Sequence, residues 1–248
     1  MSAGYTAQEF VKLVWYAQEK VLLDFDYRDD KFQEVIVEAN MVLDYLQKEE
    51  DWTWLRRRDL LGLSELSIPH QEFTLADDVY KLSTVYGDAA ELEHTQNPMD
   101  TLLVPYVSSG MTTHRNHDQV SPVLQYDPLQ PDLGLVIHGR TLRWTRPLTP
   151  YESNRWVYAW VIKNIEKFPT INESNWNTTK FLTEIPDPMY VVASTAARHA
   201  EGSPLAQGRL AGLQSDAQRL LSGMRSNDAS YTGVDYVEHS PIDYINVV

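Results

Sequence analysis

Apolar residues recur at helical spacing at the start of the chain. Thr6 and Glu9 match a capping box, in which a hydroxyl N-cap and a carboxylate three residues later satisfy the first backbone amides of a helix. A second helix is predicted to start near Asp30. The two apolar stripes are Phe10, Leu13, Val14, Ala17 and Val21, then Phe32, Val35, Ile36, Ala39, Leu43 and Leu46. Because the link between them is short, they predict an antiparallel helix pair.

A second helix pair is predicted near the other end of the chain. Asp187 and Pro188 suit the N-cap and first position of a helix. The stretch Gly202-Ser203-Pro204 predicts a stop and a restart, with Gly202 in the left-handed conformation that follows many helices. The stripes are Met189, Ala193, Ala196 and Ala200, then Ala206, Leu210, Leu213, Ala217, Leu220 and Met224.

Between the helix pairs, short runs rich in β-branched and aromatic residues predict strands. These runs are 73–75, 79–85, 135–137, 141–145 and 156–162, with a tight turn at His138-Gly139-Arg140. The run 156–162 is wholly apolar, so a short buried helix is the alternative there. Residues 96–133 contain five prolines and little periodicity, which predicts a long excursion.

The predicted fold is therefore α+β. Residues 1–62 and 184–226 are expected to form a helical bundle, and residues 63–183 a small inserted β module that includes the excursion. Residues 227–248 show no helical stripe and predict an extended C-terminal tail. This tail carries apolar residues without Lys or Arg, which favours a strand that becomes ordered on a partner.

Composition narrows the classes of function. Hydrophobic residues make up 43% of the chain and charged residues 23%, which is typical of a globular protein. The net charge of −14 argues against a surface that binds nucleic acid through phosphates. With no cysteine, disulfides, zinc fingers, iron–sulfur sites and a cysteine nucleophile are excluded. The longest apolar run is far shorter than the roughly 20 residues of a membrane span, and the N-terminus lacks a signal-peptide pattern.

Motifs for catalysis or cofactor binding are scarce. There is no glycine-rich phosphate loop of either common type. His114, His117 and Asp118 could ligate a metal, but their spacing matches no defined site, and a solvated loop is favoured. The 35 acidic residues leave open a carboxylate pair of the kind that hydrolyses glycans. The expectation is a protein that is not an enzyme and that has no cofactor, metal or catalytic residue.

Two regions are predicted to contact partners. Arg56, Arg57 and Arg58 follow Trp52 and Trp54, a combination that could stack on and contact nucleic acid. The favoured interpretation is that the tryptophans are core residues, whereas the arginines pair with surrounding acids or contact another subunit. The second region is the tail, with Tyr231, Val234, Tyr236, Ile242, Tyr244, Ile245, Val247 and Val248.

Four stretches together resemble the head-to-tail adaptor proteins of tailed phages. The first runs from Asn40 to Asp51-Trp52-Thr53-Trp54-Leu55. The second is residues 73–82, Phe-Thr-Leu-Ala-Asp-Asp-Val-Tyr-Lys-Leu, and the third is residues 137–144, Ile-His-Gly-Arg-Thr-Leu-Arg-Trp. The fourth is Ile-Pro-Asp-Pro at 185–188, leading into Thr-Ala-Ala-Arg-His-Ala at 195–200. Their order and spacing extend the resemblance over most of residues 1–226.

The resemblance implies a structural, non-enzymatic role in a dodecameric ring at the head–tail junction of the virion, after synthesis in the host cytoplasm. The implied partners are the portal protein, other neck or tail proteins and further copies of this chain. DNA would pass through the lumen without specific binding, as acidic walls allow, and no membrane is involved. Two alternatives stay open: a virion-associated glycan hydrolase and a tail-completion or gatekeeper protein. The latter are mostly β, which the helix pairs argue against.

Overall fold

The computed structural model describes residues 4–20, 23, 25–68, 71–83, 89–108, 133–202 and 207–239, with the side chains of the last helix described as far as residue 228. The chain divides into two compact units. One comprises Met1–Leu55 and Asn164–Val248, and the other comprises Arg56–Lys163.

The first unit contains four helices in its described residues, and its first two begin where the sequence predicts; Val21, the last predicted stripe position of the first, lies outside the described residues. Helix α1, Ala7–Glu19, begins at the predicted capping box: the Thr6 amide donates to the Glu9 carboxylate (2.9 Å) and the Glu9 amide donates to the Thr6 hydroxyl (3.2 Å). Helix α2 is Asp30–Glu49. The apolar residues predicted to form one face of α2 are buried, and Phe32, Leu43 and Leu46 are fully inaccessible to solvent.

Helices α3, Met189–Glu201, and α4, Gln207–His239, complete this unit. Helix α3 packs against α1, α2 and α4. Its alanine face permits close approach, because Ala196 and Ala200 are fully buried and the Gln18 side-chain amide reaches the Ala196 carbonyl (2.8 Å). A two-stranded antiparallel sheet pairs β1, Tyr5–Thr6, with the short strand Lys180–Phe181. A 3-10 turn, Thr53–Leu55, follows α2.

Two expectations about this unit are wrong. Gly202 is not left-handed: its φ of −82° and ψ of −10° continue the right-handed helical conformation at the end of α3. The predicted extended tail begins at residue 227, but the backbone of α4 is helical as far as His239. Helix–helix packing and the helix already formed upstream carry the backbone past the last apolar stripe position, Met224, which is buried.

The second unit is built on an eight-stranded mixed sheet in the described residues. The strands are β2 Arg56–Leu63, β3 Glu72–Thr74, β4 Val79–Leu82, β5 Ala89–His94, β6 Asn97–Ser108, β7 Leu135–His138, β8 Thr141–Trp144 and β9 Arg155–Lys163. Their order is β2-β9-β5-β6-β7-β8-β3, and β4 also pairs with β9. Only the β6–β7 pairing is parallel among these described strands.

One face of this sheet forms the hydrophobic core of the second unit. Along the central strand β9, Val157, Ala159 and Val161 are fully buried, as the alternation of side chains across a strand requires. Neighbouring strands contribute Phe73, Ala90, Leu92, Val104, Leu135, Leu142 and Trp144 to the same cluster. Phe73 and Trp144 meet edge to face, with ring centroids 5.5 Å apart. The buried alternation identifies 156–162 as a strand rather than a short helix.

The predicted fold class is therefore wrong, because the β part is a large, nearly closed sheet rather than a small module inserted into a helical bundle. Three strands that the sequence did not predict, β2, β5 and β6, account for most of the difference. Strand β2 occupies the arginine run, and β6 begins inside the predicted excursion. Strand β2 is stabilised by β9, which is distant in the sequence, whereas β6 pairs antiparallel with the adjacent β5 and parallel with β7.

Candidate interaction surfaces

The arginine run lies on strand β2, where side chains alternate between the two faces. The Arg57 guanidinium donates to Asp59 (2.6 Å) and to Asp78, which precedes β4 (2.7 Å). The bond from Arg57 holds the pKa of the Asp78 carboxyl below its usual range, although slight burial opposes it. The bonds from Asp78 and then Asp59 raise the pKa of Arg57. Arg57 is therefore held by two carboxylates of its own unit.

Arg58, one position along β2, is held in a denser network. Its guanidinium contacts Glu91 (2.7 Å) and Glu93 (2.8 Å) of β5 and lies over the Tyr158 ring, 3.7 Å from the centroid. Burial lowers the pKa of Arg58, but the bonds to Glu93 and Glu91 outweigh it, so that the pKa is raised. This arginine is fixed between two carboxylates and an aromatic face.

These contacts confirm that the arginines pair with acids, at least for Arg57 and Arg58. The acids lie in β2, in β5 and in the turn before β4. Trp52 is fully buried and its indole N–H donates to the Leu46 carbonyl (2.7 Å), which confirms its core role. Arg56 is half-buried at the start of β2. A partner-contact role for the three arginines stays a prediction.

The opposite face of the sheet from the core exposes apolar side chains. On β9, Trp156, Tyr158 and Trp160 alternate with the buried residues, and Trp156 is 37% exposed. Leu60 of β2 lies opposite Tyr158 and is 52% exposed. Leu103 of β6 lies two strands further, opposite Glu91, and is 62% exposed. We call these five residues the outer sheet face.

The outer sheet face has polar groups at its centre. The Trp160 indole N–H donates to the Glu91 carboxylate (2.8 Å), and Glu91 also holds Arg58. Exposed leucines and a tryptophan thus share one sheet face with a fixed arginine, a composition enriched in protein–protein contacts. The sequence did not predict this exposed face, because the residues on both faces of 156–162 are apolar. The alternation of large aromatic with small aliphatic residues was the only sequence pattern that distinguished the two faces.

A second exposed apolar surface lies on helix α2 of the other unit. Val37, Met41 and Tyr45 recur every four residues on the side away from the buried stripe, and they are 53%, 44% and 60% exposed. Arg198 of α3 lies beside them, with its guanidinium 5.6 Å from the Tyr45 ring centroid and 3.4 Å from the Met41 sulfur. We call these four residues the α2 stripe. The apolar pattern of the sequence predicted only the buried face of this helix.

The tail residues are only partly described. Tyr231, Val234 and Tyr236 lie on the helical backbone of α4, and their side chains are outside the described residues. Ile242, Tyr244, Ile245, Val247 and Val248 also lie outside the described residues, as do His114, His117 and Asp118 of the possible metal cluster.

Two further carboxyl groups in the second unit are paired with arginines. The bond from Arg155 (2.8 Å) holds the pKa of the Asp100 carboxyl below its usual range against slight burial. Burial raises the pKa of Glu152, but bonds from Arg146 and Thr149 outweigh it and lower the pKa. These carboxyl groups are held ionised, the opposite of the raised pKa that a glycosidase acid needs.

Within the described residues, no three or more His, Asp or Glu side chains are grouped so that they could hold a metal, and no helix is long and apolar enough to cross a membrane. Comparison with protein-family models finds no family that matches the chain, and comparison with curated proteins finds no significant match.

Proposed function

We propose that this protein is a structural subunit of a phage head-to-tail adaptor ring, which joins the portal to the tail and lets DNA pass. The proposal begins from the four resembling stretches. In the structure, the first runs from α2 to the 3-10 turn after it, and the second spans β3 and β4. The third is the β7–β8 hairpin, and the fourth leads into α3. Each stretch therefore belongs to an ordered element.

The outer sheet face is the observation that carries an assembly role. It presents Leu60, Trp156 and Leu103 to solvent on the same sheet face as Arg58, which Glu91 and Glu93 hold in place. A preordered arginine and tryptophan lose little conformational freedom when a partner binds, so such surfaces suit protein contacts. The role we assign to this face is contact with the portal or a neighbouring neck protein.

The charge of the chain is compatible with a DNA-conducting ring. At −14 for each copy, a ring of about a dozen chains has a strongly negative field that repels the phosphate backbone. Within the sheet, Arg57 and Arg58 are neutralised by four carboxylates and offer no basic patch. DNA would pass such a surface without being retained.

A second candidate, a tail-completion or gatekeeper protein, gains support from the eight-stranded sheet. The predicted helix pairs argue against this alternative, yet the β part is larger than the sequence predicted. The two candidates differ in their partner: the adaptor binds portal-bearing heads, whereas the gatekeeper binds a neck or tail protein one ring further down.

Binding to isolated heads tests the proposal. Purified protein is mixed with heads that carry the portal but no neck, and the bound fraction is measured after gradient sedimentation. The intact chain should co-sediment with heads. Leu60→Glu on the outer sheet face should reduce binding at least about tenfold, because a buried unpaired charge opposes the contact. Leu66→Glu is the matched control, because Leu66 is 50% exposed in the same unit.

The alternatives have separate outcomes. Failure to bind heads, together with binding to tails or to a separate neck ring, would support the gatekeeper candidate. Equal binding by both leucine variants would remove the outer sheet face from the proposal. Peptidoglycan hydrolysis that is lost on changing a single Asp or Glu would support the glycan hydrolase.

A further inference from the structure

The α2 stripe contains a cation without a carboxylate partner among the described residues. Arg198 contacts the Met41 sulfur and the Tyr45 ring, whereas Arg58 on the outer sheet face is held by two glutamates. Exposed Met41 and Tyr45 flank this guanidinium, and exposed Val37 lies one turn before Met41 on α2. An arginine among exposed apolar side chains favours an apolar partner that carries a carboxylate, since guanidinium–carboxylate bonds are among the strongest polar contacts.

The chain itself contains a segment with this chemistry. Residues 240–248, Ser-Pro-Ile-Asp-Tyr-Ile-Asn-Val-Val, are mostly apolar, and Asp243 is their only charged side chain. From Asp228 onward the chain has four acids and no Lys or Arg. The segment therefore offers both an apolar surface and a carboxylate for Arg198.

We propose that the α2 stripe binds residues 240–248 of a second copy of this chain, with Asp243 pairing with Arg198. The contact is head-to-tail, because the donor segment and the acceptor helix are different surfaces, and such contacts generate rings when the rotation closes. The proposal does not depend on the portal or on phage assembly, since it concerns the purified protein alone.

The relative direction of the helices indicates a contact between copies. Glu201 at the end of α3 contacts Gln214 of α4, and the neighbouring His199 pairs with Glu38 of α2. Further along, Arg225 of α4 pairs with Glu49 at the end of α2. Helix α4 therefore runs in the same direction as α2 and continues beyond the end of α2.

The lengths then exclude the proposed pairing within one chain. His239 lies 14 residues beyond Arg225, about 21 Å, and Met41 lies eight residues before Glu49, about 12 Å, so the two are about 33 Å apart along the axis. Ile245 is six residues beyond His239 and reaches at most about 22 Å from it. Ile245 and the preceding Asp243 therefore cannot lie at Met41 and Arg198 of their own chain, whereas the same residues of another copy can.

Disulfide capture between full-length chains tests this contact, and the absence of native cysteine removes background. Val37→Cys, at one end of the α2 stripe, is mixed with Ile245→Cys on a separate chain under mild oxidation. The mixed disulfide dimer should form several-fold faster than with Ser215→Cys, an exposed control position on α4. Capture by a covalent bond records the contact even if it is transient.

Charge reversal tests the pairing itself. Arg198→Glu in the Val37→Cys chain should slow capture several-fold, and Asp243→Arg in the Ile245→Cys chain should restore it. Equal capture by Val37→Cys and Ser215→Cys, or no response to either reversal, would overturn the proposal. An intramolecular disulfide in the doubly substituted monomer would show binding within one chain, and preferential Val37→Cys homodimers would show pairing of two α2 helices; either result also overturns it.

Discussion

The Asp228 carboxylate accepts hydrogen bonds from both the backbone amide (2.9 Å) and the hydroxyl of Thr53, a residue 175 positions earlier. One turn before it on α4, Arg225 pairs with Glu49 and Glu50. These contacts attach α4 to the end of α2 and the 3-10 turn that follows. The buried side chains of Trp52 and Leu55 hold this 3-10 turn in place.

Asp228→Ala should therefore lower the free energy of unfolding by about 1–2 kcal/mol, because the Thr53 amide and hydroxyl lose their acceptor. Urea denaturation followed by circular dichroism measures the change. Asp216→Ala is the matched control on the same helix: its exposed pair with Arg219 should contribute less than about 0.5 kcal/mol. Equal losses in the two variants would contradict a specific role for Asp228.

Arg155 is expected to be critical for the second unit. It is fully buried, and its guanidinium donates to the carbonyls of Tyr151 (2.9 Å) and Asp100 (2.7 Å) as well as to the Asp100 carboxylate. Arg155→Leu removes these donors from a closed site, so unfolding free energy should fall by about 3 kcal/mol. Arg219→Leu, at a highly exposed arginine, should have little effect. A small loss at Arg155 would contradict this account of the cluster.

The ion pair between His199 and Glu38 should make stability depend on pH. The bond to Glu38 raises the pKa of His199 from its ordinary 6.5, and burial opposes the rise; Glu34 adds to it and Lys31 reduces it. The folded state binds the proton more tightly, so the contribution is fully present below about pH 6.5 and is lost as pH rises through the folded pKa.

Comparison with Glu38→Gln measures this contribution. At about pH 5.5 the variant should unfold more easily than the intact chain, with a free energy of unfolding lower by up to about 1 kcal/mol. At about pH 8.5 the two free energies should be nearly equal. The comparison cancels the titration of other groups. A difference that grows with pH would contradict the sign.

Glycine substitutions test the backbone conformations. Gly202→Ala should leave the melting temperature nearly unchanged, because φ is −82° and a Cβ would lie 3.7 Å from its nearest neighbour. Gly4→Ala should be destabilising by at least about 1 kcal/mol, because φ is +60° and a Cβ would lie 2.7 Å from the Phe181 carbonyl. A large loss at Gly202, which the sequence alone favoured, would contradict the structure.

The sequence by itself determined the helices whose signals are local. The Thr6–Glu9 capping box and the stripe ending at Leu46 both depend on residues within one or two turns, and both appear in the structure. The β7–β8 hairpin was similarly readable, since its turn is adjacent to its strands. In these elements, the backbone hydrogen bonds join residues that are close in the sequence, so a short stretch of sequence is enough to predict them.

Only the tertiary structure decided the size of the sheet and the surfaces it presents. Strand β2 carries three successive arginines, and it pairs with β9 a hundred residues away while Asp78, Glu91 and Glu93 neutralise Arg57 and Arg58. Which face of β9 is exposed depends on the register of β2 and β5. A strand such as β2 gains its hydrogen bonds and its charge partners from distant segments. Its own residues therefore predict neither that the strand forms nor which of its faces is exposed.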